Sequence, residues 1–218
     1  MDSASPSAGR LGRRPPWRLL WTPVGLMVIA LLTMWAVEVT DTVSLDNELQ
    51  TNGIQPRLRG GLDGIAWAPF LHSDYGHVAS NTVPFLALGG LVAARGMRYW
   101  AWVTAAAMLI GGGLTWLLGG DGNHIGASGV VFGYFGAIVG AAVFERRARA
   151  LGAALLALGF YSSLIAGLVP QEFISWEGHL FGLVGGVVAA KVLAEPRRHP
   201  PEPVDDPQPW ELDEPWLG

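Results

Sequence analysis

Apolar runs of about seventeen to twenty residues recur along this sequence, separated by short polar segments. Each is long enough to cross a hydrocarbon core about 30 Å thick. Half of the 218 residues are apolar and 15% are charged, where a soluble domain carries about a quarter charged. The mean hydropathy is +0.34. The chain therefore reads as a polytopic membrane protein, with no extramembrane stretch long enough for a second folded domain. It contains no cysteine, which excludes disulfides, thiol catalysis and thiolate metal sites.

The expected fold is an all-α membrane protein, a bundle of six transmembrane helices near 17–37, 77–94, 99–118, 128–144, 151–169 and 178–194. Residues 1–16 read as a disordered arm, 17–194 as the membrane domain, and 195–218 as a disordered acidic, Pro-rich tail. A basic arm before an apolar run is also a signal-peptide pattern. This run is too long for that, and it lacks a small-x-small cleavage site. The loop 38–69 is long, and such loops are more often functional or interfacial than simple connectors. Its apolar 65–70 stretch suits the headgroup region. Of the fourteen Lys and Arg, only Arg57 and Arg59 fall on one side of the six-span arrangement. The positive-inside rule then places both termini in the cytoplasm and the loops 38–69, 119–127 and 170–177 outside. Removing the first span would leave the same orientation, so charge does not decide its fate.

Three short segments put reactive polar groups into these apolar surroundings, where they are expensive and functional by default. Ser128 opens the fourth span after a glycine-rich loop, as Gly126-Ala127-Ser128-Gly129. The first N–H groups of a helix have no partner within it, and the dipole there favours negative charge. A serine at that point can attack a carbonyl while its own N–H steadies the oxyanion. The plainer reading is an N-cap serine. The motif is not the soluble-hydrolase elbow, because Val130 stands where that pattern needs glycine.

His179 lies near the start of the sixth span, whose Gly178, Gly182 and Gly186 share one face. The fourth span offers Gly129 with Gly133 and Gly136 with Gly140. Small-xxx-small faces let membrane helices pack closely, which would bring His179 to Ser128 at similar depth. Histidine is the natural general base near neutral pH. His77 and Asn81, four apart, share a face of the second span and could donate to an oxyanion. His72 is expected to order the loop leading into that helix, and His124 to have a lesser role beside Ser128. No His-Glu-x-x-His is present, and Asp121 lacks a second intramembrane acid, so zinc and aspartyl chemistries are not expected. Ser162 and Ser163 read as bonded to their own helix backbone.

Taken together, His72-x4-His77-x3-Asn81, Gly126-x-Ser128-Gly129 and Gly178-His179-x-x-Gly182-x-x-x-Gly186 resemble the rhomboid family of intramembrane serine proteases. The resemblance covers roughly 17–194. It implies a Ser128–His179 dyad with no third acidic member and no cofactor or metal. It implies an oxyanion site of the Ser128 N–H, His77 and Asn81. Phe132, four after the serine, would stack on the catalytic histidine. Glu177, two before His179, falls on another face. The family's first loop often carries Trp-Arg, which this loop lacks; Trp17-Arg18 lies at the N-terminal edge of the first span, not in the loop.

The expected activity is endopeptidase cleavage of single-span membrane proteins near the outer face of a bacterial cytoplasmic membrane. The partners are these substrates and the lipid bilayer, with no nucleic acid. Two other classes use the same residues. An inactive rhomboid-like protein that binds or escorts membrane clients normally loses the serine or histidine, and both are present. A small transporter would show an internal repeat between its halves, and none is visible.

Overall fold

The computed structural model describes residues 22–171 and 174–194. The arm expected over 1–16 and the tail expected over 195–218 lie outside the described residues. Within them the chain is helical, and its strand-like features are two isolated bridges, Ile54–His124 and Gln171–Ile174. In order come α1 (Pro23–Ser44), α2 (Gly64–Trp67), α3 (Tyr75–Ala93), α4 (Met97–Ala106), α5 (Gly112–Leu118), α6 (Ser128–Glu145), α7 (Ala148–Tyr161) and α8 (Trp176–Val192). A π turn, Ala107–Gly111, joins α4 to α5, and a 3-10 segment, Ser162–Leu168, extends α7.

Four described helical stretches are long and apolar enough to cross a membrane: Pro23–Ser44, Met97–Leu118, Ser128–Glu145 and Ala148–Leu168. Two others are marginal for physical reasons. α3 has 19 residues but carries His77, Ser80, Asn81 and Thr82 near its start. α8 has only 17 residues.

α6 is the buried axis. Of its apolar stretch 72% is buried, against 17% for α1 and 11% for Ala148–Leu168. A helix apolar all round belongs inside a bundle, and α6 has Val, Phe, Ile and Ala on every face. The closest packing in the molecule joins α6 to α8. A Cβ added at Gly186 would lie 1.8 Å from the Gly133 carbonyl oxygen, and one at Gly182 would lie 2.1 Å from that of Gly129. One at Gly136 would lie 2.3 Å from the Leu183 carbonyl oxygen. The backbones touch because no side chain intervenes, as the glycine spacing requires. The other flank of α8 meets the α4–π–α5 rod, where Gly185 lies against the Ala106 carbonyl and Gly111 against Gly182. At the far end of α6, Arg95 pairs with the buried Glu145 and its guanidinium lies 3.9 Å from the centre of the Tyr99 ring.

The first span departs from expectation. α1 continues to Ser44, past the boundary placed at 37, so Glu38 and Asp41 are buried on the helix rather than exposed in a loop. Asp41 is the reason the chain turns back. Its carboxylate accepts the backbone N–H of Leu49 (2.8 Å) and Gln50 (3.0 Å). The loop that follows is ordered into α2 and three 3-10 turns. Ile54 and His124 exchange both backbone hydrogen bonds at 2.9 Å, and the Trp116 indole donates to the Leu58 carbonyl at 2.9 Å. Arg57 donates to the Gly119 carbonyl at 2.6 Å and pairs with Asp121. Arg57 thus anchors the loop without the Trp-Arg pair.

The α6–α8 contact predicts a graded response to added methyl groups. Gly186→Ala should lower stability by about 1–3 kcal/mol, read as a lower melting temperature in detergent. Gly113→Ala, where a Cβ meets nothing within 4 Å, should leave it unchanged.

Candidate active site

Ser128 is the first residue of α6. The N-cap position belongs to Ala127, so the serine hydroxyl is not spent as a cap. The chain enters the helix through Gly126 at φ 105°, a conformation that L side chains rarely adopt. The Gly126 N–H donates to the Ala68 carbonyl at 2.8 Å, which ties this turn to the first loop.

His179 is the fourth residue of α8 and is 9% exposed. Its Nε2 lies 2.9 Å from Ser128 Oγ, and its Nδ1 lies 2.7 Å from the Gly167 carbonyl oxygen. A carbonyl only accepts, so Nδ1 carries the proton and the Nε2 lone pair faces the serine. The Phe132 ring, one turn below Ser128, stacks on the imidazole with centroids 4.3 Å apart and planes 9° from parallel. No carboxylate reaches His179 among the described residues. Glu177 accepts the Gly120 N–H at 3.1 Å instead.

His77 sits beside the serine across Gly126. A Cβ on Gly126 would lie 2.7 Å from His77 Nε2 and 3.7 Å from Ser128 Oγ. His77 Nδ1 accepts the Ser73 N–H at 3.4 Å, which leaves Nε2 as the protonated nitrogen. Asn81 is 6% exposed and spends one amide hydrogen on the His77 carbonyl at 2.9 Å. The amide has a second hydrogen. His77, Asn81, Ser128 and His179 all line one cavity of about 780 Å³. Asp74 caps α3 through the His77 N–H at 2.8 Å. That bond, then the Ser73 hydroxyl, holds its carboxyl below the usual range.

His72 lies in the loop before α3, 2% exposed, edge-on to His77 at 5.0 Å. Neither ring nitrogen has a hydrogen-bond partner. Burial, then the neighbouring His77 ring, push its pKa down to about 4; the nearby Phe70 carbonyl opposes this without a hydrogen bond of normal geometry. His124 closes the rim. Its Nδ1 lies 2.6 Å from Ser175 Oγ and its Nε2 3.1 Å from the Gly120 carbonyl, so the loop over 119–127 is clamped to the start of α8. Gly129 and Gly182 lie in the α6–α8 contact just below. The Ser162 and Ser163 hydroxyls make no side-chain hydrogen bond among the described residues; both residues are exposed at the start of the 3-10 segment, and Ser163 lines the cavity.

Gly167 was not foreseen from sequence. Its contribution is a backbone carbonyl, which carries no residue-type signal. Its lack of a side chain matters as well, since a Cβ there would lie 3.0 Å from both His179 Nδ1 and Phe132 Cζ.

A family model described as the Rhomboid domain matches residues 60–196. The chain belongs to the rhomboid family. This rhomboid is also similar to proteins described as uncharacterized in two mycobacteria. One, from Mycobacterium tuberculosis, is 37% identical over 196 residues, spanning 85% of this chain and 80% of that protein. The other, from Mycobacterium leprae, is 35% identical over 192 residues, spanning 83% and 76%. With four membrane-length apolar helices and this family, the protein is a multi-pass membrane protein.

The buried neutral His72 sets an acid limit. Its folded pKa is depressed, so the unfolded chain binds more protons between pH 6.5 and about 4. Stability from this group is complete above pH 6.5 and is lost as pH falls toward 4, by up to ~3 kcal/mol. Melting in detergent across that range should show the loss, and His72→Leu should reduce it.

Proposed function

We propose that this rhomboid is an intramembrane serine endopeptidase that cleaves transmembrane helices of single-span proteins. The observation that carries the reading is the 2.9 Å approach of Ser128 Oγ to an imidazole nitrogen whose opposite side is held by a backbone carbonyl. His179 would take the Ser128 proton as Oγ adds to the scissile carbonyl. The negative charge on that oxygen would meet the Ser128 N–H, the His77 Nε2–H and the second Asn81 amide hydrogen. His179 would then protonate the leaving amine, giving an acyl-serine and the free amino fragment. Water, activated by His179, would attack the acyl carbon, release the carboxylate and restore Ser128. The Gly167 carbonyl would hold the tautomer through both half-reactions.

The same reading has six membrane crossings, with α3 and α8 added to the four stretches that are long and apolar enough by themselves, and a membrane domain over 17–194. It has both termini in the cytoplasm of a bacterial cell and the Ser128 end of the bundle facing outward. A substrate helix must unwind locally to offer its peptide bond, so small and helix-breaking residues near the cut favour cleavage.

The test is cleavage of a single-span reporter in proteoliposomes. Wild type should cut, and Ser128→Ala and His179→Ala should not. His77→Ala should lower kcat by roughly 10²–10³, and Asn81→Ala by less, because half of its donor capacity is already in use. Undiminished cleavage by Ser128→Ala would overturn the assignment.

A further inference from the structure

A second large cavity lies at the opposite end of α6 from Ser128. The 18 residues of that helix separate the two ends by about 27 Å. α3 and α7 barely touch each other, and the gap between them, floored by α6, holds a cavity of about 860 Å³. That is the size range of ligand sites. Its inner wall is aliphatic, with Leu91 from α3, Ile138 from α6 and Leu156 from α7. Its mouth carries three guanidinium groups, Arg95, Arg98 and Arg149.

Glu145 is spent on Arg95, and Arg98 has no acidic partner among the described residues. Tyr99, 9% exposed, also lines the cavity, and its buried hydroxyl has no hydrogen-bond partner. The Arg98 guanidinium at the mouth, an unsatisfied donor beside it and an aliphatic wall behind it match one chemistry. That is a phosphodiester attached to acyl chains. A soluble phosphate would have no use for the aliphatic wall. Exposed Leu151 and Leu155 continue that apolar surface along α7 to the outside of the bundle.

We propose that this cavity is a binding site for an anionic phospholipid of the leaflet opposite the Ser128 end, with its phosphate on Arg98 and Arg95 and an acyl chain along Leu91, Ile138 and Leu156. Basic pockets between membrane helices hold anionic headgroups in this way. The bound lipid would fill the gap between α3 and α7. α7 leads directly into the 3-10 segment whose Gly167 carbonyl holds His179, so occupancy would brace the base of the element that supports the site.

The experiment is native mass spectrometry of the full chain, released from detergent containing equal phosphatidylglycerol and phosphatidylcholine. Wild type should retain one phosphatidylglycerol in clear preference. Arg98→Gln should weaken that retention about fivefold. Gly152→Phe should abolish it without lowering the melting temperature, because Gly152 lines the cavity and a Cβ there meets nothing within 4 Å. Equal retention of the two lipids would overturn the proposal, as would retention unchanged in both variants. Displacement of the lipid by free glycerol 3-phosphate would reassign the site to soluble phosphates. Retention that appears only after removal of residues 199–218 would make the acidic tail the occupant.

Discussion

The backbone contact between α6 and α8 is the constraint on which the rest of the molecule depends. With glycine at 129, 133, 136, 182 and 186, the two helices approach until carbonyl oxygens of one lie against Cα atoms of the other. Lipid offers no hydrophobic driving force for this pairing, so close dispersion contact between small residues has to supply it. The contact is also a ruler. Ser128 is the first residue of α6 and His179 the fourth of α8, so the packing that joins the helices also fixes the separation of hydroxyl and imidazole. A side chain at Gly182 would push the helices apart directly beneath that pair.

Among the described residues, the site reaches order without a buried acid. A carboxylate beside His179 would carry a large desolvation cost in these surroundings. The Gly167 carbonyl supplies direction and tautomer, and the Phe132 face supplies position, both with neutral groups. The same economy recurs nearby. Asn81 bonds the His77 carbonyl, His77 leans on Ser73, and His124 spans Ser175 and Gly120. The buried acids that do occur stand away from Ser128. Asp41 caps the returning chain after α1, and Glu145 is neutralised by Arg95.

Much of this was legible in the sequence for definite reasons. Apolar run length located α3 and the helices from α4 to α8 to within a few residues, because membrane thickness sets a length. Glycines four apart marked the α6 and α8 faces, because small residues at that spacing have few other uses in an apolar helix. His77 and Asn81 stood out because polar groups four apart on a helix share a face, Ser128 and His179 because each is a reactive group at the start of an apolar span, and His72 and Phe132 because the resemblance to the family's motifs marks their positions. The misreadings have an equally physical origin. Glu38 and Asp41 look like loop residues until tertiary contacts bury them. Ser162 and Ser163 look like mid-helix serines, yet α7 tightens to a 3-10 segment there.

The sequence by itself determined the membrane class, the family, and which side chains can carry acyl-transfer chemistry. The class follows from composition and run length, the reactive side chains from residue type and spacing, and the family from the resemblance of three motifs, all of them local and one-dimensional features. Only the tertiary structure decided what orients His179, how the first loop is held by Asp41 and Arg57, and where the arginines of two separate turns converge around a cavity. Those relations involve backbone carbonyls, buried carboxylates and gaps between helices. None of them has a residue type or a spacing of its own, because each exists only once distant segments are packed together.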